Sequence, residues 1–123
     1  MNKWKLLGPK VIPNGHTVGE KSRVNVTGRI TAIVTAGETI YVGTAQGGIW
    51  KTINEGKHWT PTSDKALSLA IGALAMDPNN PEILYAGTGE GNFTGDSQYG
   101  LGVLKTTNGG QTWELKAKGT FSN

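Results

Sequence analysis

The sequence predicts an all-β protein made of repeated antiparallel sheets, and three observations lead to that fold class. An octapeptide occurs at residues 52–59 (TINEGKHW) and again at residues 106–113 (TTNGGQTW), 54 positions later. Runs rich in β-branched residues flank both copies. The chain also has 19 glycines among its 123 residues, and many of them fall between these runs, where turns are expected.

The shared octapeptide reads hydroxyl, any, Asn, any, Gly, any, any, Trp, a pattern typical of a tight turn. The Asn amide can bond backbone groups two or three residues on, the Gly supplies a positive φ, and the Trp opens the next strand. We therefore predict a purely structural role, with no chemistry, for eight residues: Thr52, Asn54, Gly56, Trp59, Thr106, Asn108, Gly110 and Trp113.

The repeat extends upstream of the octapeptide. Residues 48–52 align with 102–106 at the same spacing of 54, whereas residues 39–44 align with 83–88 at a spacing of 44. The second copy therefore carries ten extra residues between Thr88 and Gly102. A repeat of about 40 to 50 residues, made of short strands and Gly-rich turns, is typical of a β-propeller blade of four antiparallel strands.

The elements follow in order. Residues 1–9 contain a third Trp-led strand, which we interpret as an outer strand that closes a ring, and residues 10–28 show no sustained periodicity, which indicates a loop. Blade 1 spans residues 29–63, with strands at 30–36, 39–45, 48–53 and 59–62. Blade 2 spans residues 64–118, with a helical turn at 64–69, strands at 70–76, 83–87, 101–106 and 112–116, and a turn at 77–81. Residues 119–123 begin a linker, so the chain is a partial propeller of two blades plus one N-terminal closing strand.

Both octapeptides resemble the Asp-box of the bacterial neuraminidase repeat family, whose pattern is Ser or Thr, any, Asp, any, Gly, any, Thr, Trp. Asn54 and Asn108 replace the Asp here, and His58 replaces one Thr. Residues 43–52 (GTAQGGIWKT) and 85–90 (YAGTGE) are similar to the sortilin-like and xyloglucanase-like branch of these propellers. The resemblance implies the N-terminal two-blade portion of a propeller. It also suggests a secreted or cell-surface protein, although the chain shows no signal-peptide pattern.

The family includes sialidases, glycoside hydrolases, sorting receptors and adhesive proteins, so the resemblance alone leaves function open. Residues 29–31 (RIT) lack the proline of the sialidase Arg-Ile-Pro motif, and Ala45 stands where xyloglucanase-like enzymes carry a catalytic Asp. Glu90 and Asp96 are the one carboxylate pair to consider, and two solvated charges in a Gly-rich loop is the preferred interpretation. We therefore expect no enzyme activity and no cofactor. We also expect no metal, since His16 and His58 have no Cys or acidic neighbours at ligand spacing.

The insertion at residues 89–100 is the candidate binding loop, because it lies on the face opposite the repeated turns. Its aromatic residues could stack on a sugar or a partner side chain, and its polar residues could orient hydroxyl groups. Local packing of these aromatics within the loop is the alternative. The candidate residues are Glu90, Phe93, Asp96, Gln98 and Tyr99.

We therefore expect a non-catalytic propeller module that binds a protein or a carbohydrate. One alternative is an N-terminal fragment of a glycoside hydrolase-like propeller enzyme, with its catalytic residues on further blades. The other is a short fragment that assembles with itself, because two blades leave apolar faces open to further blades or to self-association.

Charge and composition add three expectations. The net charge is +3, and basic residues crowd the first quarter of the chain. Trp4 is the one Phe, Tyr or Trp residue among these charges, so a solvated basic segment is preferred over a nucleic-acid site. There is no Cys, hence no disulfide framework, and no long apolar run, hence no expected membrane insertion.

Overall fold

The computed structural model describes residues 3, 12–15, 24–26, 28–90 and 99–116, and all regular secondary structure within these ranges is β. The predicted all-β fold class is confirmed. The described ranges contain ten strands: β1 Ile12–Gly15, β2 Val24–Val26, β3 Ile30–Ala36, β4 Thr39–Thr44, β5 Ile49–Thr52, β6 Thr60–Pro61, β7 Ile71–Asp77, β8 Asn80–Thr88, β9 Val103–Thr106 and β10 Glu114–Lys116.

Two four-stranded antiparallel sheets form the body of the fold. One has the order β3-β4-β5-β6 and the other β7-β8-β9-β10, so both follow the chain from first strand to last. They correspond to the predicted blades 1 and 2, and they do not close into a ring. The predicted turn at residues 77–81 is present, since Asn79 N donates to Asp77 Oδ1 at 2.8 Å and Asp77 pairs with Asn80.

Two predictions about the connecting segments need correction. The segment predicted as a loop over residues 10–28 contains the antiparallel pair β1-β2, in which Ile12 pairs with Val26 and Gly15 with Val24. Pro13 and Gly15 interrupt the alternation that would have indicated a strand. The predicted helical turn at residues 64–69 is a single turn closed by Ala66 N donating to Ser63 O at 2.8 Å. The predicted closing strand at residues 1–9 and linker at 119–123 lie outside the described ranges, apart from Lys3.

The two sheets match each other in register as well as in strand order. Ile33 pairs with Val42 in blade 1, and Leu74 pairs with Ala86 in blade 2. Each first strand carries an irregularity at its second residue, after Ile30 and after Ile71. First strands therefore correspond at a spacing of 41, which shows that blade 2 has three more residues in its first hairpin as well as the predicted insertion.

One core lies between the facing sides of the two sheets. Tyr41 and Ile49 of blade 1 pack with Leu84 and Leu104 of blade 2. All four are buried. Across this contact Tyr41 Oη donates to the carbonyl oxygen of Gly109 at 3.1 Å. The shared core makes the two sheets one structural unit and fixes the positions of the loops at their ends.

Candidate functional site

The two repeated turns have the same pattern of hydrogen bonds. They are named here the first Asn-Gly turn (residues 52–59) and the second Asn-Gly turn (residues 106–113). In the second, Thr106 Oγ1 accepts from Gly110 N at 3.0 Å and from Asn108 N at 3.3 Å. In the first, Thr52 Oγ1 accepts from Gly56 N at 2.9 Å and Asn54 N at 3.4 Å. Both threonines are buried, so their hydroxyls satisfy backbone N–H groups that water does not reach.

The asparagines bridge a longer span than predicted. Asn54 Oδ1 accepts from His58 N at 2.9 Å, and Asn108 Oδ1 accepts from Thr112 N at 3.0 Å. These bonds reach four residues on, instead of two or three, because the fourth and fifth positions of each turn both have positive φ and bend the backbone around the asparagine side chain. The positive φ predicted for both glycines is confirmed.

Trp59 and Trp113 directly precede β6 and β10, as their predicted role at the start of a strand requires. Trp113 packs against the core. In the part of the chain that the structure describes, the indole Nε1 atoms of both residues are buried with no hydrogen-bond partner. The threonine hydroxyl and the asparagine side-chain oxygen of each turn therefore bond the backbone of their own turn.

A second repeated hydrogen-bond pattern closes the loops at the opposite end of the sheets. Thr88 N donates to Gly102 O at 3.0 Å, and Thr88 Oγ1 accepts from Leu101 N at 2.8 Å and from Gly102 N at 3.0 Å. Thr44 closes the short loop of blade 1 in the same way, with Thr44 N bonded to Gly48 O at 3.0 Å. The candidate binding loop thus departs from, and returns to, the same hydrogen-bonded base as a loop ten residues shorter.

Only part of the candidate binding loop falls within the described ranges. Phe93, Asp96 and Gln98 lie outside them. Glu90 forms an ion pair with Arg29 of blade 1, and its side chain is 3% exposed. This corrects the expectation of a solvated charge, because the carboxylate joins the two blades. Tyr99 is 95% exposed.

Tyr99 stands at the side of an open groove of about 440 Å³ between the loops of the two blades. Three leucines that also line the groove have exposed side chains: Leu67, Leu69 and Leu101. The remaining lining residues are Gln46, Ser68 and Ala70. Leu67 and Leu69 carried no sequence signal for a binding role, because a helical turn at the crossover would have accounted for them. The structure brings them beside Tyr99 through the extended chain that enters β7.

No protein-family model matches the chain, and a search of curated proteins found no match. Among the described residues no helix is long and apolar enough to cross a membrane. The same residues contain no group of three or more His, Asp or Glu side chains placed to hold a metal ion.

Proposed function

We propose that this chain is a non-catalytic binding module of the Asp-box β-propeller type, and that it binds an extended protein segment in the groove beside Tyr99. The observation that carries the proposal is the near-complete exposure of Tyr99 next to three exposed leucines in one groove. Clustered apolar side chains on a surface are costly to leave in water and are typical of interaction sites.

The exposed leucines of the groove favour a protein over a carbohydrate. Aliphatic side chains such as Leu67 and Leu101 contact apolar side chains well, whereas sugar sites depend on aromatic faces together with many polar groups. Tyr99 adds a hydroxyl that can bond a peptide carbonyl. The position of the groove also favours binding, because Thr88 fixes one of its walls through backbone hydrogen bonds.

The support for the family assignment is the equal bonding of the two Asn-Gly turns. Both use a buried threonine and an asparagine to close the backbone, which is a structural role and leaves binding to the opposite end of the sheets. In this proposal the turns maintain the scaffold and the groove selects the partner.

The proposal is tested by panning a random peptide display library on the purified chain. We expect enriched peptides with an apolar motif, whose binding Tyr99→Ala weakens at least tenfold. Ile53→Ser is the control, since Ile53 is also a large exposed hydrophobic residue but lies in the first Asn-Gly turn. If no peptide is enriched, or if Tyr99→Ala leaves peptide binding unchanged, the groove is not a peptide site and the proposal is wrong. Binding of the chain to a glycan array would show instead that the ligand is a carbohydrate.

A further inference from the structure

The contact between the blades contains a polar cluster, named here the polar clasp, that consists of the Tyr41 and Lys51 side chains and the Gly109 carbonyl group. Residues of corresponding positions lie on the outer sides of the two blades. Lys51 lies over the Tyr41 ring, with Nζ 5.2 Å from the ring centroid, and both side chains donate to Gly109 O at 3.1 Å. At the corresponding positions of blade 2, Lys105 Nζ lies 5.2 Å from the Tyr85 ring centroid. Tyr41 is 1% exposed and Tyr85 is 41% exposed. Blade 2 therefore presents the donor half of the clasp on its outer side.

Blade 1 presents the acceptor half. Gly109 N donates to Glu82 O at 3.0 Å, and the corresponding Glu55 N donates to Glu38 O at 3.3 Å. The φ angles of Gly109 and Glu55 are 64° and 56°, so the two carbonyl groups occupy like backbone settings.

The outer sides of the two blades carry opposite charges at the corresponding positions, a lysine on blade 2 and carboxylates on blade 1. A Cβ placed at Gly109 would lie 3.2 Å from Lys51 Nζ, so a side chain at this position approaches the ammonium group. On the outside, that side chain is the carboxylate of Glu55, and Glu38 lies next to it. A lysine that docked there as Lys51 docks on Gly109 would meet two carboxylates.

The apolar half of the contact is repeated too. Ile71 is fully buried against Gly43, where an added Cβ would lie 2.6 Å from Ile71 Cγ2. Its counterpart Ile30 is 48% exposed. The counterpart of Gly43 is Gly87, which borders an open groove of about 310 Å³. Ile33, the counterpart of the core-packed Leu74, is exposed as well.

We propose that a second copy of this chain docks head to tail, with the outer side of its blade 2 against the outer side of blade 1. Tyr85 and Lys105 of one copy then donate to Glu55 O of the next, and Ile30 enters the groove beside Gly87. The contact repeats the one already made inside the chain. Because the two sides differ, every added copy leaves one of each unused, and association continues until a ring closes or a filament forms. This interface is separate from the groove beside Tyr99.

The test is sedimentation velocity of the purified chain over a concentration series, with two charge-reversal variants. Lys105→Glu and Glu55→Lys each place like charges across the contact, so each alone is expected to associate at least tenfold more weakly than the wild type. In an equimolar mixture every contact between unlike copies pairs opposite charges again, and association is expected to return. Lys65→Glu, at an exposed position of the crossover turn, is the control and leaves association unchanged.

Gly87→Ala provides an independent steric test, because its Cβ would meet Ile30 of the docked copy as a Cβ at Gly43 would meet Ile71. We expect it to weaken association at least tenfold while its thermal midpoint, measured at a concentration where the chain is monomeric, stays at the wild-type value. A wild-type chain that stays monomeric into the millimolar range, whether its own N-terminal segment or nothing covers these sides, overturns the proposal. Oligomers indifferent to all three variants overturn it equally.

Discussion

At the residue scale, one position is occupied differently in the two Asn-Gly turns. Gly109 has a φ of 64° and the corresponding Glu55 has a φ of 56°; Glu55 is the one non-glycine residue with positive φ in the described ranges. A side chain in this region brings Cβ close to the following carbonyl oxygen, at a cost of about 1 to 2 kcal/mol. The first turn therefore carries strain that the second avoids.

Exchange of these residues should change stability in opposite directions. Glu55→Gly relieves the strain but adds backbone freedom to the unfolded chain, so we expect it to raise the free energy of unfolding by about 0.5 kcal/mol. Gly109→Ala should lower it by about 1 kcal/mol, since its φ is strained and its Cβ would lie 2.8 Å from Glu82 Oε2. Urea unfolding at a concentration where the chain is monomeric measures both changes. An equal loss in the two variants would contradict the strain at Glu55.

At the scale of a turn, the repeated pattern predicted the turn and its positive-φ glycine, but not the side chain at the centre of its hydrogen bonds. The pattern drew attention to the asparagine, whereas the buried hydroxyl of Thr106 takes part in three hydrogen bonds: two accepted from backbone N–H groups and one donated to Asn108. Which atom closes a turn depends on the path of the backbone, and the residue types alone do not fix that path.

Removal of this hydroxyl should cost more than its small size suggests. Thr106→Val keeps the shape of the side chain but leaves Gly110 N and Asn108 N without their acceptor, and we expect a loss of about 2 to 3 kcal/mol in the free energy of unfolding. Thr106→Ser keeps the hydroxyl and should cost less than about 1 kcal/mol. The exposed neighbour provides the control Thr107→Val. Denaturant unfolding of the three variants measures these changes in the free energy of unfolding. If the Thr106→Val variant were as stable as the Thr106→Ser variant, the hydrogen bonds of the hydroxyl would contribute little to stability.

At the scale of whole strands, the β-branched and alternating runs of blade 1, together with the repeat, predicted the existence and order of every strand of both sheets. The ends of β3 lie as predicted, and the ends of the other strands differ from the prediction by up to three residues, as in β8, which begins at Asn80 rather than at Ile83. The pair β1-β2 escaped prediction because Pro13 and Gly15 interrupt the pattern of β1, and β2 has only three residues. The groove at Tyr99 escaped because its leucines come from a crossover segment and converge only in three dimensions.

At the scale of the whole molecule, equal positions of the two blades lie in unlike surroundings. Tyr41 is buried and Tyr85 exposed, although their local sequences match. A repeat alone cannot tell these environments apart, because burial depends on which side of a blade meets a neighbour, and blade 1 has its neighbour on one side and blade 2 on the other. The same substitution should therefore act differently at two positions that the sequence alignment treats as one.

Gly43→Ala and Gly87→Ala make this comparison with the smallest change available. At Gly43 the new methyl group overpacks the shared core against Ile71, so we expect the free energy of unfolding to fall by about 2 kcal/mol. At Gly87 the nearest side-chain atom to the new Cβ is Ala73 Cβ at 3.6 Å, an ordinary contact, and stability should change by less than about 0.5 kcal/mol.

The shape of the unfolding transition tests whether the shared core joins the blades into one cooperative unit. Tryptophan fluorescence and far-ultraviolet circular dichroism should give one coincident transition for the wild type and for both variants, at a concentration where the chain is monomeric. If Gly43→Ala split the transition in two, the blades would unfold separately, and the contact of Tyr41 with Gly109 would then be too weak to serve as the template for docking a second copy.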